Sequence, residues 1–101
     1  MSIFNILKKS KDEFPFRDSR NVASITCVHV LDEHKPILHV NHDVDDGCWQ
    51  FLCGDEHNDG DARIVALEEI YHLDKTIGEV ANLEYGKNAD RISKDGKWII
   101  S

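Results

Sequence analysis

The sequence predicts an α+β domain: an antiparallel sheet, built from a three-strand meander plus a C-terminal strand, with short helices mainly on one face. Three observations predict it. Between Val22 and Cys53, runs rich in β-branched, aliphatic and aromatic residues are separated by the short polar segments DEHKP and DVDDG, the pattern of strands joined by tight turns. From Leu67 to Ala81 the apolar spacing changes to three and four, the helical period. The closing run KWIIS, residues 97–101, returns to strand composition.

The elements follow in order. Ile3, Phe4, Ile6 and Leu7 sit at helical spacing ahead of Lys8 and Lys9, which predicts a short amphipathic helix with cations near its C-terminus. The polar stretch after it holds FPF (Phe14–Phe16) and reads as a connector with two aromatics tucked in. Residues 1–20 thus form a helix and connector, and residues 21–101 the domain. Val22–Leu31 reads as the first strand and Ile37–His42 as the second, with Leu38 and Val40 on one face. Cys48–Cys53 is the third, with Trp49, Phe51 and Cys53 on a common face. Trp49 and Trp98 are assigned to the core. Arg63–Ala66 is a short extended piece. Leu67, Ile70 and Tyr71 mark a helix with Glu68 and Glu69 in its first turn, and Asp74 caps a second helix carrying Ile77, Val80 and Ala81.

With 101 residues, 41% of them hydrophobic and 31% charged, the chain holds one modest core and is too apolar for disorder. Its formal net charge is −7, which argues against nucleic acid, where a basic footprint is needed, and against anionic membrane surfaces. The charge is local. Residues 1–20 carry a net +2, whereas residues 32–61 hold nine acidic side chains against Lys35 alone. Seven of the nine, Asp43, Asp45, Asp46, Asp55, Glu56, Asp59 and Asp61, bracket the run CWQFLC. They form an electronegative patch suited to a basic partner. Three cysteines cannot all pair, and SIFNIL is too short for a signal-peptide core, so a cytoplasmic location is expected.

The Cys and His residues are the candidates for chemistry. Cys27, His29, His34, His39, His42, Cys48, Cys53 and His57 lie within 31 residues. The closest pairs are Cys27-x-His29, His39-x-x-His42 and Cys48-x4-Cys53, none of them a standard zinc pair, and alternation sends Cys48 and Cys53 to opposite faces. Buried thiols and solvated imidazoles are therefore expected, with no metal and no cofactor. A Cys/His metal-binding or regulatory module is the alternative function, and a small enzyme using Cys53 and His57 the second alternative. The loop Asp55–Gly60 departs from a calcium loop at His57 and Ala66. No GxSxG, P-loop, Rossmann or HExxH motif is present, and no catalytic residue is assigned.

The segments ITCVHVLD, KPILHVNHD, DGCWQFLCGDEH, IVALEEIYHLD-x-x-I, LEYGKNADR and GKW occur in this order. In that order the chain resembles a bacterial family formerly of unknown function and now grouped as the polymorphic-toxin immunity protein family number thirty-three. The resemblance covers Thr26–Trp98. It rests chiefly on W-x-F-x-x-G-D at Trp49–Asp55 and L-x-x-I-x-x-x-D-x-x-I at Leu67–Ile77, and Gly86 and Arg91 fit a later G…R pattern. Ala66 departs by lacking a capping hydroxyl, and Lys75 stands where proline is common. The resemblance implies a non-enzymatic immunity protein that neutralises a cognate toxin by occlusion. It brings no catalytic residues and leaves the oligomeric state open.

Overall fold

Six short strands form one mixed sheet among residues 14–55 and 57–101, the residues that the computed structural model describes. The strands are β1 (Ala23–Cys27), β2 (His39–His42), β3 (Trp49–Leu52), β4 (Ala62–Ala66), β5 (Asn88–Asp90) and β6 (Ile99–Ile100). They lie in the order β4-β1-β3-β2-β5-β6. Two α-helices, α1 (Val28–Glu33) and α2 (Leu67–Leu73), and 3-10 helices at Asp59–Asp61 and Lys75–Val80 complete the α+β architecture. The amphipathic helix expected over residues 2–9 lies outside the described residues.

The meander is not what forms. β2 and β3 do make the expected antiparallel hairpin, with Val40 opposite Phe51 and His42 opposite Trp49. β1, however, lies on the far side of β3 and runs parallel to it, with Ser24 opposite Trp49. The expected strand Val22–Leu31 ends at Cys27, and its second half is helix α1. β-propensity gives way there because helix formation buries Val30 in the core, and tertiary burial outweighs a local preference. His34 closes α1 in the left-handed conformation (φ 57°) and Lys35 N–H donates to the His29 carbonyl. The sheet also has six strands where four were expected. The extended piece at 62–66 pairs with β1 along its whole length. Strand β5, the polar sequence NAD, has only Ala89 buried and carries no alternation to read.

Register places Ser24, Thr26, Trp49, Phe51, Val40, His42 and Ala89 on one face, all of them buried. Leu67 and Ile70 of α2 and Ile77 and Val80 of the 3-10 helix join this core. Phe16 wedges between the layers. Its ring meets Trp49 edge-on at 5.1 Å, Phe51 at 6.2 Å and Tyr71 at 6.2 Å, an arrangement that aromatic quadrupoles favour. The FPF connector is thus core material. Trp98 is half-buried and lies under the Arg91 guanidinium, 4.0 Å from its centroid.

Arg91 and Asp74 form a buried ion pair, 3.0 Å apart, with side chains 1% and 8% exposed. Arg91 also donates to the carbonyls of Ile37 and Lys94 and to the Thr76 hydroxyl. Asp74 accepts from the Thr76 backbone N–H, the capping role expected of it. The pair joins the end of β5 to the start of the 3-10 helix and to the segment before β2.

Helix α2 has half a cap. Glu69 Oε1 accepts from the Ala66 N–H at 3.2 Å, but Ala66 has no side-chain oxygen to return to the first turn. Its backbone already has the extended cap geometry (φ −69°, ψ 144°). Ala66→Ser is expected to stabilise the domain by about 0.5–1 kcal/mol, seen as a raised urea midpoint at unchanged m-value.

Candidate functional site

The acidic patch divides in two. Asp43, Asp45 and Asp46 occupy the turn between β2 and β3, and Asp55 and Asp61 lie beyond the opposite end of β3. Five residue steps from Cys48 to Cys53 separate the ends by about 16 Å. Asp59 opens the 3-10 turn beside Asp61, and Glu56 lies outside the described residues. Several of these carboxylates shape their own loops. Asp43 accepts from the Asp45 N–H at 2.7 Å, Asp46 from the Cys48 N–H at 2.9 Å and Asp61 from the Asn58 N–H at 2.8 Å, as Asp does in turns and caps. Asp55 pairs with Lys35 at 3.0 Å on the surface. That contact holds the Asp55 carboxyl below its usual range and raises Lys35.

The β2–β3 turn borders a groove of about 540 Å³ whose lining includes Asp18, His42, Trp49, Glu84 and Tyr85, with Arg17 also on its border. His42 stacks on Trp49 with ring centroids 3.8 Å apart and lies 4.5 Å from the Tyr85 ring. Its Nδ1 is 2.8 Å from the Leu83 carbonyl oxygen. A carbonyl only accepts, so Nδ1 carries a proton, which leaves Nε2 as the second polar atom of the ring. That nitrogen is buried and has no hydrogen-bond partner among the described residues. Asp18 already accepts from Trp49 Nε1 at 3.1 Å. Tyr85, on the groove wall, is 66% exposed, and Val44, in the adjoining turn, 68%. Gly47, at φ 72°, lets Tyr85 seat on the turn, because a Cβ there would lie 3.3 Å from the ring. An exposed aromatic–aliphatic pair amid carboxylates has the make-up of an interface anchor with a polar rim.

The opposite end of the sheet holds a different chemistry. β1 and β3 end side by side, and Cys27 and Cys53 follow at those ends. His29 projects from the first turn of α1, two residues after Cys27. Gly54, at φ 89°, turns the chain after Cys53 so that the loop folds back. The thiols of Cys27 and Cys53 and one ring nitrogen each from His29 and His57 all lie within 4.8 Å of one another. Cys53 Sγ is 3.5 Å from His29 Nδ1 and 3.5 Å from His57 Nε2. Both sulfurs are buried, His29 is half-buried and His57 exposed. This is the one such group of His, Cys, Asp or Glu among the described residues. Burial pushes the Cys53 thiol up. A raised thiol is the reverse of what activates a nucleophile.

Sequence spacing gave no reason to expect Cys53 and His57 within reach of each other, or of Cys27 and His29; the chain reversal at Gly54 and the parallel β1–β3 pair supply it. The remaining candidates are dispersed. His39 pairs with Asp90 at 2.6 Å, His34 caps α1, and Cys48 is half-buried at the other end of β3. Tyr85, Glu84 and Asp18 escaped sequence reasoning, since nothing local links the 81–86 segment to the β2–β3 turn. Comparison of the chain with protein-family models, with curated proteins and with solved structures finds no match. Among the described residues no helix is long and apolar enough to cross a membrane.

Proposed function

We propose that this protein is a non-enzymatic acidic binding protein of the immunity type, which neutralises a cognate bacterial toxin in the cytoplasm by occluding its basic active surface. The observation that carries this reading is the groove beside the β2–β3 turn. Its lining includes the acidic residues Asp18 and Glu84 and the stacked rings of His42 and Trp49, with Arg17 as its one cation among the described residues. Asp43, Asp45 and Asp46 stand in the neighbouring β2–β3 turn, whose Gly47 lies against Tyr85, and the exposed Tyr85 and Val44 supply apolar contact. Such a groove fits a Lys or Arg side chain on a basic loop, which pairs with a carboxylate and stacks on an exposed aromatic ring. The resemblance to the immunity family points the same way. The patch thereby narrows from seven carboxylates to Asp43, Asp45 and Asp46 with Glu84. Asp55, Asp59 and Asp61, at the far end of β3, contribute long-range attraction, and Glu56 of the sequence patch lies outside the described residues.

The test uses the product of a neighbouring large reading frame that ends in a basic domain. Co-expression of this protein is expected to rescue cells from that domain. Asp45→Lys/Asp46→Lys/Glu84→Lys is expected to slow association at least about 10-fold at low salt and to flatten its salt dependence. Rescue and association rate both unchanged by the triple reversal would sink the groove assignment.

A further inference from the structure

We propose that Cys27, His29, Cys53 and His57 form a zinc site closed by four protein ligands. Zn–S bonds of about 2.3 Å and Zn–N bonds of about 2.0–2.1 Å in a tetrahedron hold their ligand atoms about 3.3–3.8 Å apart. Cys53 Sγ already stands 3.5 Å from both ring nitrogens, and all four atoms lie within 4.8 Å. Side-chain adjustments of about an ångström close the set around one ion. Two sulfurs with two imidazoles select zinc over magnesium or calcium, which take oxygen donors.

The surroundings fit the same ion. Two thiolates cancel its charge, so a neutral unit occupies the partly buried end of the sheet. The surrounding stretch, residues 32–61, carries nine acidic side chains against one Lys and so concentrates cations. His57 is exposed and gives the ion its route in from solvent. With all four positions filled by protein, the site is structural: it ties the loop after β3 to the ends of β1 and α1.

The test is a cobalt and zinc titration of untagged, fully reduced protein. One equivalent of Co²⁺ is expected to produce thiolate-to-cobalt charge-transfer absorption and the intense visible bands of a tetrahedral site, both removed by one equivalent of Zn²⁺. Cys48→Ser, outside the group, is expected to leave binding unchanged. His57→Ala, at an exposed position, is expected to keep the metal-free circular dichroism spectrum and to weaken zinc binding at least about 10-fold. Cys53→Ser is expected to lose most of the charge-transfer intensity. Absence of that absorption in the wild type, or binding unaltered in His57→Ala and Cys53→Ser, overturns the proposal. Because the groove lies at the other end of β3, its triple reversal leaves this titration unchanged, and the two readings fail independently.

Discussion

Replacing Arg91 with Met is expected to cost about 3–5 kcal/mol of folding free energy, because it strands Asp74 as an uncompensated buried charge. Asp74 is 7% exposed and its partner 6%, so neither recovers hydration in the folded state. The loss also removes donors to the carbonyls of Ile37 and Lys94 and the stacking on Trp98. In a domain stable by about 5–15 kcal/mol, that is a large fraction of the total. Urea denaturation measures it. The double variant Asp74→Asn/Arg91→Met is expected to regain part of the loss, since the amide keeps an oxygen for the Thr76 N–H without a charge. A single-variant cost below about 1 kcal/mol, the range of an exposed ion pair, would contradict the buried-hub assignment.

Trp49→Ala is expected to cost a further large amount, about 3–5 kcal/mol. Trp49 is 1% exposed. It stacks on Phe51 and His42 and meets the edge of Phe16, and its deletion leaves a void that the β2–β3 pair cannot close without losing register. Trp49→Phe keeps the aromatic contacts and loses the indole N–H donated to Asp18. It is expected to cost about 0.5–1.5 kcal/mol, the net worth of a hydrogen bond. Thermal unfolding followed by circular dichroism separates the two. An alanine variant as stable as the phenylalanine one would move Trp49 out of the core.

Several elements were legible because their signals are local. The alternation of Trp49, Phe51 and Cys53, the helical spacing of Leu67, Ile70 and Tyr71, the Asp74 cap and the strand at Ile99–Ile100 all stand where the pattern puts them. The break at Cys27 was not legible, because VHVL has strand composition whichever way it folds, and only burial of Val30 in the core decides it. Arg91 drew notice through the family resemblance alone; nothing in its neighbours signals that it is buried. Of the candidate site, the carboxylates of the β2–β3 turn were visible as an acidic run. The Tyr85 and Glu84 side of the groove was not, since it comes from a segment some forty residues away.

The sequence by itself determined an α+β domain with an aromatic-centred interior strand and concentrated negative charge at both its ends, because alternation, caps and charge runs act over a few residues. Only the tertiary structure decided which strands became neighbours. In a meander, β2 would stand between β1 and β3 and hold the ends of those strands about two strand spacings, roughly 9.6 Å, apart. With β3 beside β1 and parallel to it, the ends lie one spacing apart, and the thiols of Cys27 and Cys53 meet with His29 and His57. Pairing order follows from gathering residues far apart in sequence, from Phe16 to Ala89, into one core, a condition that no local stretch of residues encodes.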